Sequence, residues 1–255
     1  MKEKLYTIPL NDAVNANDEC PFCFIERKLE QDLMDFVLGS GASYMESDIR
    51  SETDKAGFCR PHFKKMFDYG NTLGNAWILK THYRRIIDEM NKEFKEFKPG
   101  KPIKKGLFSK QTTLDSTNSI SSWLKEKESS CFICNHVQKT FHAYLKTFFD
   151  MYRKDADFQN NFMQTKGVCL SHLMVLLDGV DTYLKPNEQE AFYETFLPLM
   201  SSNMKRIYDD ISWFIEKYDY KNKDADWKDS KDAVQRGMQK LKGSDPSLPT
   251  YQLKR

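Results

Sequence analysis

The chain has 255 residues, enough for one large domain or two of ordinary size. Its 39 basic and 37 acidic side chains leave a formal charge of +2, which excludes a strong electrostatic footprint for nucleic acid or an anionic membrane. The start lacks the apolar core of a signal peptide, and no run approaches the about 20 apolar residues of a membrane span. We therefore expect a soluble cytoplasmic protein whose cysteines are reduced thiols.

The first strong pattern begins at a cysteine knuckle, Cys20-Pro21-Phe22-Cys23. Apolar residues then recur at helical spacing until Gly39, which predicts a helix that starts at the knuckle. A second knuckle, Cys59-Arg60-Pro61-His62, opens another apolar series with a period near 3.6. That series runs to Phe97 and predicts one long helix, or two helices joined near Gly70.

The periodicity is then lost over residues 98–116, where lysines, prolines and glycines are concentrated. This composition indicates a linker. Its lysines could form a phosphate-binding site. However, no stacking aromatic residues are interleaved with them, so a solvated linker is the simpler interpretation.

The knuckles are then repeated as Cys131-Phe132-Ile133-Cys134 and Cys169-Leu170-Ser171-His172. The two copies are offset by 111 residues at the first knuckle and by 110 at the second, and every cysteine of the chain is in them. Because the helical patterns after the knuckles are repeated as well, the register indicates an internal duplication.

The last third of the chain is also helical in pattern. A long amphipathic stretch opens at Pro186, and Pro198 predicts a bend within it. Further on, Ala233, Val234, Met238 and Leu241 mark a C-terminal helix that we expect to pack.

The predicted fold class is all-α, with two pseudo-repeated helical units, each braced by a CxxC…CxxH metal site, and with long amphipathic helices. We assign residues 1–97 to the first repeat and its metal site, 98–116 to the linker, and 117–220 to the second repeat and its site. Residues 221–255 are expected to form a C-terminal helix and a mobile tail.

The residue types in the knuckles favour zinc, which structural sites bind tetrahedrally through sulfur and imidazole. The predicted ligands are Cys20, Cys23, Cys59, His62, Cys131, Cys134, Cys169 and His172. All four knuckles open helices, whose N-termini stabilise thiolates. We expect the two knuckles of one repeat to share an ion, because each repeat could then fold by itself. Pairing across the repeats also gives four ligands. Either way, two zinc ions per chain are expected.

Other cysteine chemistry fits the sequence less well. The first knuckle is similar to a thioredoxin-type motif, but the second copy lacks the proline and no βαβ pattern is present. Haem attachment needs CxxCH, whereas Phe24 and Asn135 follow the two CxxC pairs. An iron–sulfur cluster held by three cysteines and a histidine stays open.

Two further sets of residues are weaker candidates for a site. His82, His136 and His142 do not form a ligand pattern, and we interpret them as packed or exposed histidines. The aromatic strip between Trp213 and Trp227 is explained by packing more simply than by a ligand pocket.

The duplicated CPxC…GxCxxH pattern, the segment from Trp213 to Tyr220 and the following Trp227 resemble an uncharacterised bacterial family of unknown function. The resemblance covers roughly residues 15–243, and the doubled knuckles are its specific part. It implies a cytoplasmic bacterial protein found mainly in anaerobic Firmicutes and in Actinobacteria. It implies no activity, so no catalytic role is carried over to these residues.

Together these patterns predict a zinc-binding protein with two structural Cys3His sites. We expect a binding or interaction protein without catalytic activity, since four protein ligands leave no position for a reacting water. Its partner would be an unknown protein or small molecule; no membrane is expected, and the balanced charge argues against nucleic acid. The alternative is a thiol-based redox switch or metal-handling protein. A third and weaker hypothesis is nucleic-acid binding through zinc-braced helices.

Overall fold

The computed structural model describes residues 2–98 and 118–243, which form eleven α-helices and no strand. The helices are α1 (Lys2–Asn15), α2 (Pro21–Leu38), α3 (Ser47–Ala56), α4 (Arg60–Tyr69), α5 (Thr72–Glu96), α6 (Ser119–Ser129), α7 (Phe132–Lys154), α8 (Ala156–Met163), α9 (Leu170–Tyr183), α10 (Pro186–Glu216) and α11 (Ala233–Lys242). The predicted all-α class is confirmed. None of these helices is long and apolar enough to cross a membrane. The predicted linker beyond Lys98 and the predicted tail beyond Gly243 lie outside the described residues.

The internal duplication is visible in the order of the helices, because α2–α5 correspond to α7–α10. All four knuckles start a helix in the same way: the carbonyl oxygen of the first cysteine accepts a hydrogen bond from the backbone N–H four residues later. The pairs are Phe24 to Cys20 (3.2 Å), Phe63 to Cys59 (2.9 Å), Asn135 to Cys131 (3.0 Å) and Leu173 to Cys169 (2.8 Å). Each first cysteine therefore stands at the N-terminal boundary of its helix.

Two glycines repeat the geometry that leads into the second knuckle of each copy. Gly57 and Gly167 lie two residues before Cys59 and Cys169, and both have a positive φ, of 61° and 72°. Glycine adopts such angles without strain, so the chain can turn sharply into the cysteine. Gly70, with φ 84°, ends α4, and two helices rather than one long helix follow the second knuckle.

The helices form two compact units, and each unit takes segments from both repeats. Of the described residues, unit 1 contains 2–31 and 137–243, and unit 2 contains 32–98 and 118–136. Both boundaries fall inside helices, one in α2 and the other in α7.

Unit 1 has an aromatic core built by α7, α8 and α10. The ring of Phe162 lies 4.7 Å from that of Phe148 and 5.5 Å from that of Phe196, centroid to centroid. Phe192 extends this chain of rings, 4.9 Å from Phe196. Such contacts add to the free energy gained by burying apolar surface, and they give unit 1 a rigid frame.

Unit 2 is organised around α3 and α5, and polar contacts tie its loops to these helices. The side chain of Asn71 accepts a hydrogen bond from Gly74 and caps α5, while its amide donates to the carbonyl oxygen of Leu38. Ile78 and Met34 are fully buried, whereas Phe67 is largely exposed. Unit 2 thus buries some apolar side chains completely and leaves others in contact with solvent.

Candidate metal centres

The structure brings the eight predicted ligands together in two groups of four. Cluster A consists of Cys20, Cys23, Cys169 and His172, and cluster B of Cys59, His62, Cys131 and Cys134. In each cluster the four candidate ligand atoms lie within 4.8 Å of one another. Cluster A lies in unit 1 and cluster B in unit 2.

Each cluster combines the CxxC knuckle of one repeat with the CxxH knuckle of the other. The expectation that the two knuckles of one repeat share an ion is therefore wrong. Along the chain the ligands are nested, since those of cluster B lie between the two halves of cluster A.

The pairing follows from the path of the backbone. Helix α2 has 18 residues and carries the chain about 27 Å away from the first knuckle. The segment before Cys59 instead meets the start of α7, where the N–H of Phe132 donates to the carbonyl oxygen of Gly57 at 2.8 Å. That bond places Cys59 beside Cys131, and cluster B forms there.

Cluster A has the geometry of a single-ion site. The Nδ1 atom of His172 lies 3.4 Å from the sulfurs of Cys20 and Cys23 and 3.2 Å from that of Cys169. The Cys23 and Cys169 sulfurs are 3.7 Å apart. A zinc ion bound tetrahedrally by thiolates at its usual bond length would hold two sulfurs about 3.8 Å apart.

Cluster B repeats this geometry closely. The Nδ1 atom of His62 lies 3.1 Å from the sulfur of Cys59, 3.2 Å from that of Cys131 and 3.4 Å from that of Cys134. The sulfurs of Cys59 and Cys134 are 3.8 Å apart, far beyond the about 2.05 Å of a disulfide bond. In both clusters, then, one imidazole nitrogen and three free thiols could hold a metal ion.

The side chains of cluster A favour a negatively charged Cys169 beside a positively charged His172. Burial raises the pKa of Cys20 above its ordinary value, and hydrogen bonds with the neighbouring sulfurs raise it further. Hydrogen bonds with Cys20, Cys23 and His172 lower the pKa of Cys169. For His172, burial lowers the pKa, but hydrogen bonds with Cys169, Cys23 and Glu26 outweigh burial and raise it to about 12. A thiolate beside a protonated ring is thus stabilised before any cation binds.

In cluster B too, the pKa of one thiol is lowered while that of a neighbouring thiol is raised. Burial raises the pKa of Cys131, but hydrogen bonds with His62 and with the backbone of Cys134 and Cys59 lower it to about 6. Burial and the negative charge of Cys131 raise the pKa of Cys134 above its ordinary value. A bound cation would offset the repulsion between neighbouring thiolates, so that all three sulfurs could lose their protons.

A carboxylate orients the histidine of cluster A. The Oε2 atom of Glu26 lies 3.3 Å from Nε2 of His172, on the side of the ring that points away from the sulfurs. Once a cation displaces the proton from Nδ1, this contact favours the neutral tautomer that keeps its proton on Nε2 and presents the Nδ1 lone pair to the ion. The duplication gives no signal for Glu26, because its register partner in the second copy is Val137.

The C-terminal helix α11 covers cluster A. A Cβ atom added to Gly243 would lie 3.4 Å from the sulfurs of both Cys23 and Cys169, so the backbone at the end of α11 lies against the ligands. The Oγ atom of Ser171, between the two ligands of its knuckle, donates to the carbonyl oxygen of Lys242 at 3.4 Å. All four ligands of cluster A are consequently buried.

Buried charges hold α11 in this place. Lys240 is 1% exposed, and its Nζ atom donates to the carbonyl oxygens of Glu19, at 2.8 Å, and of Lys166. The Glu19 side chain, 3% exposed, accepts a 2.6 Å hydrogen bond from Arg206 and lies within 3.8 Å of Arg236. Because Glu19 precedes the first ligand in the chain, this network fixes the knuckle as well as the helix.

Helix α11 packs as predicted, but the side chains that it buries are not all the predicted ones. Of the four apolar residues that marked the helix, Ala233 is fully buried, but Val234, Met238 and Leu241 are 37%, 54% and 51% exposed. Gly237 is also buried and brings the helix close to Ile211 of α10. The buried polar residues Gln239 and Lys240 carry no such signal in the sequence.

Cluster B is more open than cluster A. Cys131 and His62 are buried, but Cys59 is half-buried and Cys134 is exposed. Over the two described stretches of the chain, His, Cys, Asp and Glu side chains come together in a compact candidate ligand group at clusters A and B alone. The two sites therefore share ligands and geometry but differ in access for solvent.

The remaining histidines have other contacts. Nδ1 of His82 lies 2.9 Å from the carbonyl oxygen of Asp54, and Nδ1 of His142 lies 2.7 Å from that of Gln138. Nε2 of His136 lies 3.5 Å from the carboxylate of Glu52. They belong to neither cluster, and these contacts account for them as ordinary surface or packed residues.

The aromatic strip forms a small cluster of its own at the end of α10. The Phe214 ring lies 5.5 Å from Tyr218 and 5.8 Å from Trp227. Lys217, 6% exposed, donates to three carbonyl oxygens of the following loop, including that of Asn222 at 2.7 Å. The strip thus closes the C-terminal end of the helix.

Comparison with known proteins adds a family but no activity. Neither the curated proteins nor the solved structures include one with significant similarity to this chain. A family model matches residues 1–247 and so spans both clusters and all eleven helices. The chain belongs to the family of unknown function DUF6062.

Proposed function

We propose that the chain is a zinc protein with two structural Cys3His sites and that it acts as a binding protein without catalytic activity. The observation that carries this proposal is the position of Nδ1 in each cluster, 3.1–3.4 Å from all three sulfurs. Sulfur and imidazole donors in a compact tetrahedral set are typical of structural zinc.

The same compactness supports one ion per cluster over an iron–sulfur cluster. The ligands of a polynuclear cluster are divided among several irons, so their donor atoms surround the cluster rather than meet around one point. Here the four donor atoms of each group lie within 4.8 Å of one another, which suits a single cation.

Zinc would act first on the fold. In cluster A it would join the starts of α2 and α9, and in cluster B those of α4 and α7. Structural zinc in small domains contributes on the order of 10–16 kcal/mol, as much as a domain's whole stability of about 5–15 kcal/mol. With four protein ligands, no position is left for a reacting water, so the surfaces of the helices are the parts that would contact a partner.

Elemental analysis of the purified protein tests this proposal, with an expected content of two zinc ions per chain. A strong chelator should remove the metal and abolish the cooperative thermal transition, measured by far-ultraviolet circular dichroism. Protein that is well folded without metal, or that contains iron and inorganic sulfide, would contradict it.

A second candidate function, a thiol-based switch or metal-handling protein, is favoured by one observation. Cluster B exposes Cys134 and half-exposes Cys59, whereas a purely structural site gains nothing from accessible thiolates. Resistance of both metal ions and of all six thiols to mild peroxide would exclude it.

A further inference from the structure

The access of solvent to the sulfurs separates the two clusters. In cluster A the cysteines are at most 1% exposed, and the rings of Phe22 and Phe141 lie 5.8 Å and 5.2 Å from the His172 ring. In cluster B, Cys134 is exposed. Oxidants react with thiolates that they can reach, so identical ligand sets should differ in their rate of oxidation.

Two sulfurs of cluster B are both accessible and adjacent. Cys59 is half-buried and Cys134 exposed, and their sulfurs lie 3.8 Å apart. Cys131, the third sulfur, is 2% exposed and sits behind them with His62. The accessible sulfurs can therefore react with each other without involving the buried pair.

We propose that cluster B is the redox-labile site of the protein and that peroxide converts Cys59 and Cys134 into a disulfide with release of its metal ion. This inference rests on the proposed zinc sites and names which of them responds. Cluster A would keep its ion under the same conditions.

The chemistry balances with a peroxide as the oxidant. The Cys134 thiolate attacks one peroxide oxygen, the O–O bond breaks, and a sulfenic acid and hydroxide are formed. The Cys59 thiolate then attacks the sulfenic sulfur, the S–O bond breaks, and a second hydroxide leaves as the S–S bond forms. The two thiolates lose two electrons and the peroxide gains them. Zinc is left with Cys131 and His62 and dissociates.

The disulfide would join the same two helix starts that the ion held. Cys59 is the N-cap of α4, and Cys134 is the third residue of α7. Unit 2 would keep a covalent staple when it loses its ion, and reduction by a dithiol would restore the site.

The test uses the full chain loaded with two zinc ions and treated with a small excess of hydrogen peroxide beside a chromogenic zinc chelator. One zinc ion per chain should be released quickly and the second about tenfold or more slowly. Peptide mapping after alkylation should then find a Cys59–Cys134 disulfide, with Cys20, Cys23 and Cys169 recovered as free thiols.

Two sets of results would overturn the inference and leave the zinc sites standing. One is release of both ions at one rate, or retention of both; the other is a first disulfide that includes Cys131 or any sulfur of cluster A. Protein that contains no zinc before treatment would instead refute the proposed function itself.

Discussion

Clusters A and B carry the same ligands on the same kind of helix start, yet one is sealed and the other open. Cys59 and Cys169, the corresponding N-cap residues, have almost the same backbone angles, with φ −72° and −73° and ψ 163° in both. The difference arises outside the ligand set. Helix α11 and its buried lysine lie on cluster A, whereas Cys134 of cluster B is exposed. Access to a site of this type is decided by what packs on it, and its chemistry by the ligands.

The largest expected effect comes from removing Lys240, which holds helix α11 against cluster A. Lys240→Met would leave Glu19 and two carbonyl oxygens without their buried cation, so we expect the free energy of unfolding of unit 1 to fall by about 3 kcal/mol. Release of zinc from cluster A to a chelator should become faster and approach the rate of cluster B. Chemical denaturation and release kinetics measure the two effects.

Lys242→Met is the matched control for that change, because the Lys242 side chain is exposed. It should leave stability and release from cluster A nearly unaltered. If Lys240→Met behaves like this control, α11 is not what protects cluster A.

A smaller effect is expected where the cover touches the sulfurs. Gly243 has φ 76° and ψ 170°, a conformation essentially restricted to glycine, and a Cβ there would contact two ligands. Gly243→Ala should therefore destabilise unit 1 by about 1–3 kcal/mol and accelerate release from cluster A alone. Gly41→Ala is the control, since nothing lies within 4 Å of the added Cβ. Equal effects of the two substitutions would show that contact with the ligands has no consequence.

The smallest effect on folding, and a specific one on metal affinity, is expected at the carboxylate behind His172. Glu26→Gln removes the charge that orients the ring, and the affinity of cluster A for zinc should fall about 10–100-fold. Competition with a chelator of known affinity measures this difference, and cluster B supplies the internal reference.

Glu52→Gln is the control for that measurement, since Glu52 contacts His136, which belongs to neither cluster. It should change neither affinity. A loss of affinity in cluster B after Glu26→Gln would mean that the effect is not transmitted through His172.

Local signals predicted much of this molecule. The spacing of apolar residues gave the helices that follow the knuckles, and Gly70 marked the break between α4 and α5. The duplicated register singled out the eight residues that the fold gathers. These features depend on neighbours in sequence, where periodicity, helix N-termini and glycine conformations act directly.

The pairing of knuckles and the cover of cluster A depend on distant contacts and were not predictable in this way. Within-repeat and cross-repeat pairing offer identical ligands, and a bond such as Phe132 to Gly57, which selects between them, has no local signature. Helix α1 is mostly polar, and only its contacts through Leu10, Ala13 and Val14 reveal it as part of the core. In α11, the polar Lys240 is inside because Glu19 is there to receive it.

The nested order of the ligands has a consequence for synthesis of the chain. A polypeptide that emerges from the ribosome presents all ligands of cluster B once Cys134 is out, while cluster A waits for His172. The inner loop, from His62 to Cys131, spans 69 residues, and the outer loop, from Cys23 to Cys169, spans 146. In a flexible chain, closing the outer loop would cost about 0.6 kcal/mol more in entropy than closing the inner one. If the inner loop is already closed, fewer flexible residues separate Cys23 from Cys169, and this cost falls. During synthesis the ligand set of the accessible site is thus complete first, and that of the buried site only after 38 more residues, from Cys134 to His172.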